Sequence, residues 1–366
     1  MICARHPLMT SRHENTGTSA YVHLFFAVVF CLTSLCNASE VRDANVAGAS
    51  SPTARYATID APGSGYYAYM GTTPVAINSN GEIAGIFVDA SYATHSFLRS
   101  PSGVLKMIDL PGQGTFVQGM NSFGTTVGYV ADQYAAHGFI RSIDGTYTIF
   151  DVPGSILTSA NGINDTGTIT GFSITADGVY HGFVRTTNGA ITPFDAPGNP
   201  RRTSPSKINA AGTVIGYYID ANSAFHGFVR SKNGKFVTLD GPKSISTLAN
   251  DINANGIVVG SLAQAGSGHS FLRGTNGKYT IFDPPGTDYR GSTPVSVNDS
   301  GAIVGYFFDS NGILHGYLRN PDGTIVVLND PKATSLGTVA LGISSRGMII
   351  GVYYDAFTAM HGFLRK

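Results

Sequence analysis

The sequence predicts an all-β fold, a seven-bladed β-propeller built from four-stranded antiparallel blades. Three observations predict it: a pentapeptide that returns seven times, four short strand-like segments in each repeat, and chain ends that complement each other. The pentapeptide reads His, Gly or Ser, Phe or Tyr, an aliphatic residue and Arg, and successive histidines lie 42 to 46 residues apart. Repeats of this length are typical of propellers, solenoids and other arrays. The seven copies begin at His95, His137, His181, His226, His269, His315 and His361.

The leader differs in character from the repeats. Basic residues such as Arg5 and Arg12 precede an apolar run from Leu24 to Leu35, which is short for a membrane span. Small residues before Ser39 favour cleavage there, so residues 1–38 are predicted to be a secretory signal peptide. All three cysteines lie in this leader, and the exported chain is therefore expected to have neither disulfides nor a thiol nucleophile. Residues 39–55 are small and polar without periodicity, which indicates a flexible linker.

Each repeat reads as four strands joined by tight turns. In the third copy, residues 158–164 lead into a turn, and residues 168–175, 179–185 and 190–195 follow as three further strands. Turns of the Asn-Gly and Asp-Gly type separate these segments, which is typical of a β-meander.

Two further marks recur in the repeats. The first turn carries Asn in six copies and Ser344 in the seventh, and the second strand carries a Gly-x-x-x-Gly pair such as Gly167 and Gly171. We expect these glycines to mark close backbone approach or bulging at crowded inner strands.

The two ends of the repeat region complement each other. The seventh copy stops at Lys366, directly after its pentapeptide, and lacks a fourth strand. Residues 56–60 form an unmatched fourth-strand segment that resembles residues 147–151 and 279–283. We expect residues 56–60 to pair with residues 361–365 and to close the ring, because an open array would need caps. The propeller is thus predicted to span residues 56–366 as one domain.

The histidines are interpreted as structural. Positions fourteen residues apart across a short hairpin lie nearly opposite each other, so a hydrogen bond between them can hold the hairpin. A metal site or proton transfer is the alternative. The carboxylates at this spacing are Asp109, Asp151, Asp195, Asp240 and Asp283, with Asn329 after His315 and Asp60 as the partner of His361 across the closure.

Two other recurring residue types receive similar interpretations. The arginines that end the pentapeptide share a strand face with the histidine and the aromatic residue, and are expected to stack on aromatic rings or to bond to turn carbonyls. Aspartates after the second strand, such as Asp89 and Asp309, are read as turn formers and not as calcium ligands.

The connections that vary between repeats form the candidate site. Turns between strands 1 and 2 and between strands 3 and 4 are short and uniform, whereas the other two connections differ and fall at one end of the ring. Exposed aromatics with a few charged residues suit sugar or peptide recognition, although some of them can simply roof the central channel. The candidate ligand-binding residues are Tyr66, Tyr67, Tyr69, Tyr92, Tyr134, Arg201, Arg202, Phe225, Asp288, Tyr289 and Arg290.

Composition narrows the function classes. Only 13% of the residues are charged and the formal net charge is zero, so neither nucleic acid nor an anionic membrane is expected as a partner. No Gly-x-Ser-x-Gly, zinc-ligand or phosphate-loop pattern stands in a convincing context, so no catalytic residue, metal or cofactor is assigned. We expect a monomer.

The repeat marks resemble the bacterial extracellular repeat family that is named for a His-Ala-Phe motif. The resemblance covers residues 56–366 through Phe-Asp-x-Pro-Gly, Ile-Asn-x-x-Gly, Gly-x-Ile-x-Gly and His-Gly-Phe-x-Arg, with Gly or Ser in place of the Ala. It implies an exported repeat protein, secreted to the periplasm or the medium, without an assigned reaction. We therefore expect a binding protein for a glycan or a protein partner. The alternatives are an extracellular hydrolase or lyase acting at the channel mouth and a purely structural surface protein.

Overall fold

The computed structural model of the protein describes residues 55–67, 70–111, 114–132, 134–198, 200–334 and 336–366. Every regular element in these residues is a β-strand, which confirms the predicted all-β class. The predicted signal peptide lies outside the described residues, as does the predicted linker except for Arg55. No helix in the described part of the chain is long and apolar enough to cross a membrane.

The strands follow one another along the whole described chain. In order they are β1 (Tyr56–Ile59), β2 (Gly71–Ile77), β3 (Ile83–Val88), β4 (Thr94–Arg99), β5 (Leu105–Met107), β6 (Gly114–Met120), β7 (Thr126–Ala131), β8 (Ala136–Arg141), β9 (Tyr147–Phe150), β10 (Ser155–Ile163), β11 (Ile169–Thr175), β12 (Tyr180–Arg185), β13 (Ile191–Phe194), β14 (Arg202–Ile208), β15 (Val214–Ile219), β16 (Phe225–Arg230), β17 (Phe236–Leu239), β18 (Ser246–Ile252), β19 (Val258–Gln264), β20 (Ser267–Arg273), β21 (Tyr279–Phe282), β22 (Ser292–Val297), β23 (Ile303–Phe308), β24 (Leu314–Arg319), β25 (Ile325–Leu328), β26 (Thr338–Ile343), β27 (Ile349–Tyr354) and β28 (Met360–Arg365).

Consecutive strands pair antiparallel in groups of four, here called units 1 to 7, and each unit is one sequence repeat. Unit 1 is β2–β5, and units 2 to 6 follow in the same way up to β25. Unit 7 consists of β26, β27 and β28, and β1 supplies its fourth strand in a register that runs from Tyr56 opposite Arg365 to Ile59 opposite Gly362. The predicted pairing of the two chain ends is confirmed.

Neighbouring units contact each other through the first strand of each unit. Strand β14 lies against β10, β11 and β12 of the preceding unit, and β22 lies against β18, β19 and β20. Strand β2 contacts β26, β27 and β28 in the same way, so unit 1 lies against unit 7.

The aromatic residue of the pentapeptide forms the centre of each unit's core. Its side chain is completely buried in all seven copies, which are Phe97, Phe139, Phe183, Phe228, Phe271, Tyr317 and Phe363. Full burial of one such side chain stabilises the folded chain by about 1.5–3 kcal/mol. The aromatic residue that recurs in every pentapeptide is thus the residue on which the core of each unit packs.

The second glycine of each Gly-x-x-x-Gly pair lies opposite this aromatic residue. Gly171 faces Phe183, and a Cβ atom on Gly171 would lie 1.9 Å from the carbonyl oxygen of Ser159 on the neighbouring strand. The neighbouring first strand bulges at the same level, between Ala160 and Gly162. Both parts of the expectation, close approach and bulging, are confirmed, because any side chain here would collide with backbone.

The asparagine of the first turn has a role beyond the turn. Its Oδ1 accepts a backbone N–H within the turn, as Asn209 does from Thr213 at 3.0 Å, and its Nδ2 donates to a carbonyl of the next unit. We call this series the asparagine belt. Its bonds between units run from Asn78 to Ser122, Asn121 to Asn164, Asn164 to Asn209, Asn209 to Asn253, Asn253 to Asn298 and Asn298 to Ser344. At Ser344 the amide is missing, and the serine hydroxyl accepts from Met348 N–H instead.

Candidate functional site

Each pentapeptide histidine forms a hydrogen bond fourteen residues along the chain, or across the closure. Its Nδ1 lies 2.6–3.0 Å from a side-chain oxygen of the partner. Because a carboxylate oxygen only accepts, Nδ1 carries the proton in the histidine–aspartate pairs. The pairs are His95 with Asp109, His137 with Asp151, His181 with Asp195, His226 with Asp240, His269 with Asp283, His315 with Asn329 and His361 with Asp60.

The second ring nitrogen often faces another carboxylate, which sequence reasoning missed. Nε2 of His95 lies 3.2 Å from Oδ2 of Asp89, and Nε2 of His315 lies 3.3 Å from Oδ2 of Asp309. The same aspartates accept backbone N–H groups of their own turns, as predicted for turn formers. The Asp-x5-His spacing was the signal that could have revealed this contact.

These carboxylates change the protonation of the site. Burial by itself lowers the pKa of His95, but the hydrogen bonds to Asp109 and Asp89 outweigh it, so the pKa of His95 is raised. Hydrogen bonds, the largest contribution coming from the Ser91 hydroxyl, lower the pKa of Asp89 to about 2. Two neighbouring carboxylates favour the protonated form of a histidine, which makes it a poorer general base.

Aromatic rings cover several of the histidines. The His95 ring stacks on Phe87 with 4.8 Å between centroids, and His361 stacks on Tyr353 with 4.9 Å. The histidine side chains remain 15% to 32% exposed. Every imidazole is therefore held at Nδ1 by its own unit, and four of them, His95, His226, His315 and His361, are also stacked on an aromatic ring.

The pentapeptide arginines behave as expected. The Arg230 guanidinium lies 4.5 Å from the ring centroid of Phe194 in the preceding unit, and Arg365 lies 6.0 Å from Tyr56. Arg99 and Arg319 donate to the carbonyl of the residue that follows each of them, at 3.4 and 3.3 Å. The prediction of stacking and of bonds to turn carbonyls is confirmed.

The variable connections meet at one end of the units, here called the variable face. The connection before β2 bonds to the end of β3 through Gly65 N–H and Val88 C=O at 2.9 Å, and the connection before β22 bonds in the same way to Phe308 at 2.9 Å. Large aromatic side chains of these connections are 65% to 79% exposed. They are Tyr66, Tyr67, Tyr92, Tyr134, Tyr289 and Phe357. Tyr69 lies outside the described residues.

Tyr92 also has an unfavourable backbone conformation. Its φ is 66°, in the left-handed region where a bulky residue is disfavoured by about 1–2 kcal/mol. At the same place in unit 6 the turn has Gly312, with a φ of 82°. Since the Tyr92 side chain is exposed and packs little, its strain is not offset by burial, which is common at functional positions.

Asp288 and Arg290 use each other as partners. Oδ2 of Asp288 accepts from Nε and Nη2 of Arg290 at 2.8 and 2.6 Å, and Nη2 also donates to the Asp309 carbonyl at 3.1 Å. The Arg290 guanidinium packs on Phe308 at 4.5 Å. Asp288 is thus paired with Arg290, and it holds the loop that presents Tyr289.

Arg202 lies among aromatic rings where units 3 and 4 meet. Its Cζ is 4.0 Å from the ring centroid of Tyr180 and 5.7 Å from that of Tyr217. Phe225 packs on Tyr217 with 5.8 Å between centroids, so this candidate residue supports the cluster and is only partly exposed. Arg201 beside it is exposed.

Polar residues of the first strands were not found by sequence reasoning. Lys207 and Asp251 lie on the first strands of adjacent units, and Asp251 accepts from the N–H groups of Val297 at 2.8 Å and Ile252 at 2.9 Å. Burial raises the pKa of Asp251, against the opposing effect of Lys207. Asn250 next to it donates to the Pro294 carbonyl of the following unit at 2.8 Å. The hydrogen bonds of Asp251 and Asn250 join units 5 and 6.

Two other kinds of site were sought in the described ranges. No group of three or more His, Cys, Asp or Glu side chains there is arranged to hold a metal ion. A shallow groove of about 400 Å³ lies at the opposite end, between units 2 and 3, lined by Phe123, Thr125, Asp165, Arg185 and Thr187 among others. Asp165 is already bonded to Ser122 N–H at 2.9 Å, and Arg185 to the Thr186 carbonyl at 3.4 Å.

Comparison with known proteins bears on the fold alone. No protein-family model and no curated protein matches the sequence. One similar solved structure is a streptogramin B lyase, 14% identical, with 85% of this chain and 97% of that chain covered and a TM-score of 0.53. A catalytically inactive histidine-to-alanine variant of virginiamycin B lyase from Staphylococcus aureus, with quinupristin, is 14% identical over 85% and 99% of the chains, with a TM-score of 0.57. The β-propeller domain of the Trilobed protease from Pyrococcus furiosus is 10% identical over 82% and 97%, with a TM-score of 0.54. At these identities the likeness supports a β-propeller and says nothing of a reaction.

Proposed function

We propose that the protein is an exported, non-catalytic glycan-binding protein, a closed seven-bladed β-propeller that binds its ligand on the variable face. The pairing of β1 with β28 and the contact of β2 with the last unit support a closed ring. The leader sequence supports export to the periplasm or the medium, and so does the resemblance to the His-Ala-Phe repeat family.

The single observation that carries the binding function is the concentration of exposed tyrosines at one end. Exposed aromatic side chains gathered at one end of a fold are typical of a recognition surface. Their flat faces pack well on the C–H faces of sugar rings. Tyr66, Tyr67, Tyr92, Tyr134 and Tyr289 all lie on the variable face. A protein partner is the alternative ligand for the same surface.

The histidine geometry favours binding over catalysis. Each of the seven imidazoles is hydrogen-bonded within its own unit. An enzyme needs one catalytic site and not seven copies of it, so an arrangement that recurs in every unit favours a structural role. The carboxylate of Asp288 on the variable face is paired with Arg290.

The test is glycan-array binding by the predicted exported chain, residues 39–366. The parent is expected to bind at least one glycan, and the variant with Tyr66, Tyr67 and Tyr289 replaced by Ala is expected to bind more than tenfold more weakly. Phe123→Ala is the matched control, because Phe123 is 61% exposed on the turn between β6 and β7 at the opposite end. Unchanged retention of the triple variant on every glycan or envelope extract that binds the parent contradicts the proposal. If neither the parent nor the triple variant binds any glycan or envelope extract, the purely structural surface protein is favoured.

A lyase or hydrolase at the mouth of the central channel is the second candidate. Two of the similar solved structures are lyases, and the inactive variant of one of them carries a histidine-to-alanine change. Incubating the protein with quinupristin and following it by chromatography tests this candidate. The binding function predicts that quinupristin remains unchanged, and its conversion would establish the enzyme instead.

A further inference from the structure

We propose that Arg202 and the rings around it form a subsite for the carboxylate of a uronic acid, so that the ligand is an acidic glycan. This inference rests on the glycan-binding function proposed above and names the class of glycan. Arg202 is the first residue of β14, and this end of the strand lies at the variable face.

No described residue accepts a hydrogen bond from the Arg202 guanidinium. Its Nε is buried without a hydrogen-bond partner, and no carboxylate or carbonyl of the described residues accepts from its Nη atoms. The side chain is partly exposed, and its Nη atoms are not among the fully buried groups, so they remain open to a ligand. A partly buried cation without a counter-ion is unfavourable, and a bound anion would remove that cost.

The repeat itself does not require this arginine. In every unit the first strand contains a buried Thr or Ser, and the residue before it is Arg only in unit 4. The corresponding residues in the other units are Gly71, Gly114, Leu157, Ser246, Gly291 and Gly337. Four of the seven units have glycine at this position, so the fold does not require an arginine there. We therefore attribute Arg202 to ligand binding and not to packing.

The aromatic rings define what kind of anion fits. The Arg202 Cζ lies 4.0 Å from the ring centroid of Tyr180 and 5.7 Å from that of Tyr217. Tyr180 packs on Phe172 with 5.4 Å between centroids, and Tyr217 packs on Phe225 with 5.8 Å. Arginine favours a carboxylate in a two-bond geometry, and we assign the Nη atoms of Arg202 to that contact. Tyr180 and Tyr217 are partly exposed, so part of each ring is available to the apolar side of a sugar ring.

An acidic peptide fits this position less well. Extended peptides usually add to an unpaired strand edge, but β14 is paired with β15 along its length and with β12 at Arg202 itself. Among the described residues the strand that carries Arg202 has both edges paired at this position, whereas the rings of Tyr180 and Tyr217 are partly exposed.

The experiment measures binding of uronic acid oligomers to the full chain by calorimetry. The probes are oligomers of galacturonate, glucuronate, mannuronate and guluronate, their neutral methyl esters, and polyglutamate. Arg202→Gln removes the charge and keeps most of the side chain, and Arg346→Gln is the matched control, an exposed arginine on the turn between β26 and β27 at the opposite end. We expect at least one acidic oligomer to bind, its methyl ester to bind at least tenfold more weakly, and Arg202→Gln to lose binding by at least tenfold while Arg346→Gln changes it less than twofold.

Several outcomes separate this inference from the function on which it rests. Arg202→Gln is expected to unfold at the same urea concentration as the parent or higher, so a loss of binding does not report a loss of fold. Binding of neutral glycans that is indifferent to Arg202→Gln overturns the acidic subsite and leaves the glycan-binding function intact. Failure to bind any glycan, acidic or neutral, overturns both. Binding of polyglutamate and of no uronate, with loss in Arg202→Gln, assigns the subsite to an acidic peptide and overturns the glycan class.

Discussion

The Nδ1 atom of His361 lies 2.9 Å from the Oδ1 atom of Asp60, although 301 residues separate the two in the chain. His181 and Asp195 form the same bond at 3.0 Å within a single hairpin, fourteen residues apart. The contact that elsewhere stabilises a local turn therefore joins the two ends of the repeat region, where no covalent connection holds the fourth strand in place.

Asp60→Ala is expected to loosen this seam. Loss of the bond costs about 1 kcal/mol, as for a partly exposed hydrogen bond, and it weakens the attachment of β1, which is paired with β28. Hydrogen exchange should accelerate at the amides of β1 and of β28. Asp151→Ala removes the equivalent bond inside unit 2 and is expected to leave exchange in β1 and β28 unchanged. Equal protection of β1 in Asp60→Ala and the parent contradicts the role given to this bond.

The asparagine belt is expected to contribute to stability, and its gap at Ser344 to be repairable. Asn209→Ala removes one of the two hydrogen bonds to the Asn253 carbonyl, which keeps the bond from Gly256 N–H, and it leaves the Thr213 N–H without its partner. It is expected to cost about 1–3 kcal/mol of unfolding free energy. Ser344→Asn is expected to add about 1 kcal/mol by extending the belt from unit 7 to unit 1. Urea unfolding measures both changes.

Asn233→Ala is the control for the belt, because Asn233 occupies an exposed turn and bonds only within it. Its effect should stay within about 0.5 kcal/mol. A cost for Asn209→Ala no larger than that of Asn233→Ala would show that the bonds between units do not stabilise the fold.

Tyr92 is expected to trade stability for binding. Asn tolerates a positive φ better than Tyr, so Tyr92→Asn should stabilise the protein by about 0.5–1 kcal/mol while weakening ligand binding. Ser223→Asn changes the equivalent turn position of unit 4, whose φ is 67°, and is expected to stabilise without affecting binding. Thermal unfolding gives the first quantity and glycan binding the second. Tyr92→Asn that binds as tightly as the parent would remove Tyr92 from the site.

Stability is expected to fall in acid as the turn carboxylates protonate. Hydrogen bonds, above all the one from Ser91, hold the pKa of Asp89 at about 2. A carboxyl group whose pKa is lowered by folding stabilises the protein above its unfolded pKa of about 4 and loses that contribution as the pH falls through the folded value. The urea midpoint should therefore decrease between about pH 4 and about pH 2. Asp89→Asn is expected to flatten that decrease, and an unaltered slope would exclude Asp89 as a contributor.

The pKa of His95 predicts an effect of the opposite sign. Folding raises it, because the bonds to Asp109 and Asp89 outweigh burial. Its contribution is complete below the unfolded pKa of about 6.5 and is lost as the pH rises through the folded value. His95→Asn is expected to reduce the fall in urea midpoint measured between about pH 6 and pH 9.

The contacts within each repeat were predictable from spacing. The bonds from His181 to Asp195 and from His361 to Asp60 follow from the symmetry of a hairpin, and the requirement for Gly171 follows from a strand with no room for a side chain. Such contacts depend on sequence distance and strand alternation alone, so a repeated pattern reveals them.

Contacts between units could not be obtained in this way. The Nδ2 bond of Asn164 to the Asn209 carbonyl depends on how two units are rotated and offset against each other, and no local spacing encodes that offset. For the same reason the contact of Arg202 with the Tyr180 ring in the candidate site could not be predicted, because Tyr180 belongs to the preceding unit.

The sequence by itself determined the seven copies, the four strands in each, the complementary chain ends and the loops that vary. Only the tertiary structure decided that Asp288 pairs with Arg290, that Asp89 contacts Nε2 of His95, and that Arg202 lies among aromatic rings without an acceptor among the described residues. Contacts between residues close in sequence depend on spacing, so a repeated pattern reveals them. Contacts between side chains of different units depend on how the units pack, and only the folded protein defines that packing.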